Sequence, residues 1–421
     1  MKRNLLAFVT IALLLAACGG PKVSTTQISG VVVNLSGLPV PGVRVLVPGK
    51  SIVTTDASGA FTFDEVTVPY TLIVEQKSDE FVVYQGINRT DPQVFVSGST
   101  GSYETNLDGT VASTTAGNTL GLQLASAHAL GSTTMSATAG STGYNFDVTL
   151  YQPVTRGTLY ALEWSKDASG NAQDFSGYGV YSGDLDLAAG ASHSNLDISL
   201  MAVSGTHDLD VSVSTPSGLN PGFQIAGVRF ADTPEYAIPL LTYTDFAPAS
   251  NQYTVRSPDL AAARMVLVAA ASQNSSVYSI RWESVASSST AHTLILNDPV
   301  ELLDPADGAN VGTDAAFRWQ PPSGAISIAF FSGDLKVWVY TAGSETTLPD
   351  LSPFGAGYGT NPYTWSVGAY RLDGIVEGEM DQLTAPGGVS PMQALFTTIF
   401  GVPLSEGGFL VGSEERTVNL P

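Results

Sequence analysis

Cysteine occurs once in the 421 residues, at position 18, so no internal disulfide can form and the fold must rest on packed cores alone. Basic residues are scarce. Seventeen Lys and Arg stand against 38 Asp and Glu, for a formal net charge of −21. Nucleic acid is therefore not expected as a partner, because phosphate binding needs clustered cations. Histidine appears only at 128, 193, 207 and 292, and neither a Gly-x-Ser-x-Gly elbow nor a His-Glu-x-x-His zinc helix is present. Helical periodicity is nearly missing, with the 390–400 stretch the one candidate helix. Beyond residue 17 no apolar run approaches the ~20 residues a spanning helix needs.

What is present begins with an export signal. Lys2 and Arg3 precede an uncharged apolar run from Leu5 to Ala17, the layout of a secretory leader. As a helix that run reaches only about 20 Å, short of the ~30 Å hydrocarbon core, so cleavage is expected rather than a permanent span. The string Leu15-Ala16-Ala17-Cys18 resembles the bacterial lipobox. That resemblance implies a diacylglyceryl thioether and an acylated amine on Cys18, with 1–17 removed and 18–27 left as a lipidated tether. Gly19 stands where an aspartate holds many enterobacterial lipoproteins at the inner membrane, so outer-membrane or surface display is expected. Loss of Lys2 and Arg3 makes the exported chain more acidic still, which favours solubility.

After the tether, short runs of Val, Ile, Thr, Phe and Tyr alternate with Gly, Asn, Asp, Ser and Pro every eight to twelve residues. This texture predicts an all-β chain of tandem antiparallel sandwiches, and the length predicts two or three domains. In 28–97, a strand at 28–33 leads into the turn 37–42, valines recur at 43, 45 and 47, and Asp56-Ala57-Ser58-Gly59 marks a tight turn. The strings Pro39-Val40-Pro41-Gly42-Val43 and Thr54-Thr55-Asp56-Ala57-Ser58-Gly59-Ala60-Phe61 resemble the carboxypeptidase regulatory-like domain. That resemblance implies a transthyretin-like, seven-stranded accessory module without catalytic residues. The 98–298 segment is rich in Gly, Ser and Thr and reads as one large sandwich or two small ones, one being favoured. From 299 to 384, Pro305-Ala306-Asp307-Gly308, the Phe317-Arg318-Trp319 strand and Tyr363-Thr364-Trp365-Ser366-Val367-Gly368-Ala369 are similar to a fibronectin type III domain. Residues 385–421 form an extension that this pattern does not place.

Candidate chemistry is thin. His207 and Asp208 are neighbours, but adjacent strand residues point to opposite faces, so they are not expected to meet. Asp184/Asp186, Asp208/Asp210 and Glu377/Glu379/Asp381 recur at a spacing of two, which puts each set on one face of a strand. They could serve as glycosidase acids or calcium ligands. A solvated outer face, with Leu185, Leu187, Leu209 and Val211 filling a core, predicts the same pattern and is favoured. The Asp167–Asp174 stretch, 167–174, lacks the residue order of an EF-hand loop and reads as a polar hairpin turn. Trp319, Trp338 and Trp365 are expected in the core, and Trp164, Tyr178 and Tyr181 are read as structural. No catalytic residue, cofactor or metal is assigned, and Cys18 is the only modification site. The expected function is a non-catalytic binding or structural scaffold with a membrane, an envelope protein or a glycan as partner. A carbohydrate-binding adhesin is the alternative, and a carboxylate-based glycoside hydrolase in 98–298 is the competing class.

Overall fold

The computed structural model describes residues 25–97, 101–230, 237–386 and 406–420. Cys18, its leader and the 390–400 stretch lie outside the described residues. Within them the chain is all-β: helix is confined to one 3-10 turn, Ser352–Phe354, and one α-turn, Met380–Leu383. The strands form five sheets of 3, 10, 3, 14 and 3 members.

The 14-stranded sheet is the spine of the molecule. Along it run, in order, Leu240–Asp245, Asn220–Arg229, Arg264–Ser272, Tyr278–Ala286, Gly407–Gly412, Pro362–Leu372, Ile326–Ser332, Lys336–Thr341, Glu80–Ile87, Tyr70–Lys77, Arg44–Leu46 and Val53–Thr54. It thus draws strands from the 28–97, 98–298, 299–384 and 385–421 segments alike. The strand Gly407–Gly412, near the C-terminal end, is the weld, pairing antiparallel with Tyr278–Ala286 on one side and Pro362–Leu372 on the other. Most junctions are antiparallel, as the turn spacing predicts. An exception joins Lys336–Thr341 to Glu80–Ile87, which run parallel although some 256 residues apart. A parallel pair needs no local turn, so no turn signal could announce it.

Parts of the spine are buried on both faces, which explains the strands there that do not alternate. In Arg264–Ser272, Val266, Val268 and Ala270 enter one core while Met265, Leu267, Ala269 and Ala271 enter another. In Glu80–Ile87, Val82 and Tyr84 face one core and Phe81 and Val83 a second. A strand covered on both sides must be apolar at every position. With each fully buried Val, Leu or Phe worth about 1.5–3 kcal/mol, these cores carry the stability that disulfides cannot.

Three small sheets supply the covers. Thr25–Asn34, flanked by Ala60–Thr67 and Gln93–Val96, packs Ile28, Val32, Phe61, Phe63 and Val94 onto one face. Thr206–Ser214 with Gln252–Pro258 and Ala291–Ile295, and Phe317–Gln320 with Glu301–Asp304 and Glu345–Thr346, cover parts of the other. The ten-stranded sheet, built from residues 103–202, folds over a separate core of Leu107, Leu122, Phe146, Val148 and Leu159. Its second face adds Leu162, Trp164 and Phe175 to a core shared with the spine.

Candidate functional site

Most of the residues that the sequence offered for chemistry are held in structural contacts. His207 turns away from Asp208 and lies 2.6 Å from Asp259 Oδ1 through Nδ1, while Nε2 is 3.1 Å from the Ser289 carbonyl. Asp208 pairs with Arg256 at 2.6 Å, and Asp210 accepts from Thr254 Oγ1 at 2.7 Å. Asp186 pairs with Arg156 at 2.6 Å. These aspartates are exposed, as is Asp184, while Leu185, Leu187, Leu209 and Val211 are buried, as a half-buried strand requires. His292 Nε2 lies 2.8 Å from Glu283 Oε2, and Arg281 holds the other oxygen of that carboxylate. His193 sits on the short strand Ser192–His193, and His128 on the turn before Ala129–Ser136. No group of three or more His, Cys, Asp or Glu side chains is placed to hold a metal among the described residues.

One local expectation changes. Glu377, Glu379 and Asp381 do not line one strand. The chain turns at Gly374 and Gly378, both with positive φ, and Asp381 falls in the Met380–Leu383 turn. There its Oδ1 accepts from the backbone N–H of Asn88 at 2.7 Å and Arg89 at 3.1 Å, tying the 377–383 segment to the end of Glu80–Ile87. The 167–174 stretch is a hairpin turn: Asp167 Oδ1 accepts from the N–H groups of Ser169 and Asn171 at 2.8 and 2.9 Å. Asp56 does the same with Ser58 and Ala60, and the Ser58 hydroxyl bond first, then those two, hold its carboxyl below the usual range. Gly59 adopts the positive φ that this turn demands.

The more suggestive correction is Trp338. Trp164, Trp282, Trp319 and Trp365 are each under 2 % exposed, but Trp338 is only half-buried. It lies on the parallel strand pair opposite Val82, where the covering sheet ends at its edge strand Gln93–Val96. Its ring stacks on Phe330 at 5.0 Å, directly across the strand register, which fixes the orientation of the indole. Beside it opens a cleft of about 170 Å³. Leu35, Val82, Phe95 and Tyr340 form the apolar walls, and Gln76 and Ser97 the polar rim. Tyr340 stacks on Tyr84 at 5.2 Å, and burial holds its hydroxyl strongly protonated. Tyr84 in turn donates to the Phe95 carbonyl at 2.9 Å and accepts from the Phe95 N–H at 3.0 Å, fixing the cleft wall. Neither the Trp338 indole N–H nor the Tyr340 hydroxyl has a hydrogen-bond partner among the described residues.

A larger, polar groove of about 610 Å³ lies at the ends of the same strand pair, bounded by Gln85, Asn88, Gly343, Glu379 and Asp381. It lacks any aromatic ring, and Gln85 and Asp381 already bond Thr346 and the 88–89 backbone. The cleft is therefore the better binding geometry: a rigid apolar platform with free donors at its margin.

This placement gives a direct optical test. Acrylamide quenching of the tryptophan emission is expected to reach one accessible fraction, and Trp338→Phe should remove it. Quenching that survives in Trp338→Phe would show the cleft to be closed.

No family model matches the chain, and no curated protein matches it. Among solved structures, the crystal structure of BcpA, the major pilin subunit of Bacillus cereus, aligns at 6% identity over 65% of this chain and 100% of that one. The TM-score of 0.16 is too low to carry an argument.

Proposed function

We propose that this chain is an exported, non-catalytic scaffold, tethered to a bacterial membrane by a lipid on Cys18, that holds a binding surface outside the cytoplasm. The observation that carries the scaffold reading is the spine: one hydrogen-bonded sheet of 14 strands takes members from every segment between 28 and 420. Such a body stays rigid without disulfides. It suits a protein with one cysteine whose thiol is committed to an anchor. On this reading 28–97 is a carboxypeptidase regulatory-like module and 299–384 a fibronectin-like one, both serving as walls of the shared sheet. Surface or outer-membrane display follows from the leader and from Gly19. Each buried methylene of the lipid adds about 0.8 kcal/mol, so two or three acyl chains make the anchor stable.

Glycan binding is the second reading, and the half-exposed Trp338 beside its cleft favours it. A glycoside hydrolase draws less support, since Asp186, Asp208 and Asp210 lie on outer faces engaged by Arg156, Arg256 and Thr254.

The anchor is tested by metabolic labelling of a bacterium expressing the full chain with an alkyne fatty acid. The wild type should take up label and sediment with membranes, and Cys18→Ala should lose both properties. An unlabelled wild-type chain, or label retained in Cys18→Ala, overturns the proposal.

A further inference from the structure

The cleft beside Trp338 has an electrostatic neighbour that the rest of this acidic chain does not prepare for. On the strand Lys336–Thr341, residues 336, 338 and 340 share one face. Their register partners on Glu80–Ile87 are Glu80, Val82 and Tyr84. Glu80 receives the Lys77 ammonium at 2.9 Å and the Lys336 ammonium at 3.2 Å on its two oxygens. Its carboxyl is held below the usual range, first by the Lys77 bond, against an opposing effect of burial, and then by Lys336 and Gln76. Gln76, whose Nε2 lies 3.1 Å from Glu80, is itself part of the cleft rim. Two ammonium groups thus share the Glu80 carboxylate one residue pair from the half-buried indole, with Asp79 exposed in the adjoining turn. The chain as a whole carries −21.

We infer that the cleft binds an acidic sugar residue, a pyranose ring carrying a carboxylate. The ring's C–H face would lie on the Trp338 indole, and its carboxylate would meet the Lys336 ammonium. The inference deepens the binding half of the function proposed above and rests on it. The volume agrees: about 170 Å³ equals five or six waters at roughly 30 Å³ each, the room for one ring and not for a long oligomer. Chemistry agrees as well. A sugar offers an apolar face together with hydroxyls, and the site pairs a flat aromatic surface with the unpartnered Trp338 N–H and Tyr340 hydroxyl. The Lys336 ammonium, which shares Glu80 with Lys77, selects among sugars. A neutral ring leaves the second ammonium without a partner of its own, whereas a uronic acid supplies one.

The test uses the full chain, purified from membranes in detergent and titrated with trigalacturonic acid and, separately, with neutral galactotriose. Tryptophan emission and calorimetry report binding. Saturable binding of the acidic trimer, weakened by salt, is expected, because exposed charges are screened within a Debye length of about 10 Å at 0.1 M. Trp338→Ala should raise its Kd at least about tenfold, as loss of a central aromatic anchor does. Lys336→Gln, at a half-exposed position and with Lys77 still paired to Glu80, should raise it about fivefold for the acidic trimer and leave the neutral one unchanged. The inference is overturned by the absence of saturable binding, by equal affinity for the two trimers, or by unaltered affinity in folded Trp338→Ala and Lys336→Gln. Cys18 labelling is read on the same preparation. Lost sugar binding with labelling intact defeats this inference alone, and lost labelling defeats the anchored scaffold.

Discussion

Gly408→Val is expected to destabilise the folded chain by about 3 kcal/mol or more, while Gly143→Val, also at a strand glycine, should change stability by less than about 0.5 kcal/mol. The difference lies in what a Cβ would meet. Gly143 sits on Ser141–Leu150 with open space around it. At Gly408 the new carbon would come closer than van der Waals contact allows to the Arg371 carbonyl oxygen and the six-membered ring of Trp282. Neither can yield. The carbonyl belongs to Pro362–Leu372, already paired with Gly407–Gly412, and Trp282 is fully buried directly across the register from Gly408. An indole laid over a glycine of the neighbouring strand fills the space that the missing side chain leaves, so adding a side chain evicts the indole. Because, among the described residues, Gly407–Gly412 is the only strand joining the Tyr278–Ala286 half of the spine to the Pro362–Leu372 half along the sheet's path, the damage should not stay local. Urea midpoints followed by tryptophan emission and by far-ultraviolet circular dichroism should fall together. A Gly408→Val midpoint close to that of Gly143→Val would show that the weld carries little.

How much of this was readable in the residues depends on the range of the interaction. Asp56 and Asp167 act on N–H groups two and four residues away, so four-residue strings announced both turns. The alternation of Asp184-Leu185-Asp186-Leu187 and Asp208-Leu209-Asp210-Val211 likewise separated outer from inner faces, because those strands have one wet side. Spine strands obey a different rule. Phe81-Val82-Val83-Tyr84 and Val337-Trp338-Val339-Tyr340 are continuous because both faces are covered. Such runs state burial but not partner. The cleft was invisible for that reason: Trp338 stands in a run that reads as core, and only the edge of the 93–96 strand leaves its ring half-uncovered. The charge beside it depends on a parallel register between residues near 80 and near 336 that no local signal encodes. The 407–412 strand was missed on similar grounds, since Gly407-Gly408-Phe409-Leu410-Val411-Gly412 is glycine-rich and owes its place to the Trp282 and Tyr278 rings above its glycines.

Gln123→Leu should cost roughly 3–5 kcal/mol although it leaves the side-chain volume nearly unchanged. Gln123 is fully buried on Thr119–Ala125, at the centre of the ten-stranded sheet, and it spans the boundary to the spine. Its Nε2 donates to the carbonyls of Val228 at 3.1 Å and Ile238 at 2.6 Å, and its Oε1 accepts from the Phe230 N–H at 2.5 Å. One amide therefore satisfies two backbone groups at the end of Asn220–Arg229 and a third just before Leu240–Asp245. A leucine would keep the packing and abandon all three. Each buried group left without a partner costs about 1–3 kcal/mol, whereas the apolar gain from the exchange is about one side chain's transfer energy, and the polar loss prevails. The aromatic contacts of Phe230 with Tyr160 and Tyr178, both at 5.1 Å, remain in place. They hold the two bodies by area but cannot satisfy a carbonyl. Gln123→Glu should be worse than Leu, because a carboxylate keeps the Phe230 bond but sets negative charge against two carbonyl oxygens in a buried site. Hydrogen exchange read by mass spectrometry should show faster exchange in peptides covering 223–230 and 119–125 of the leucine variant, with the 44–87 strands unaffected. Wild-type stability and wild-type exchange in Gln123→Leu would mean that ring packing alone joins the ten-stranded sheet to the spine.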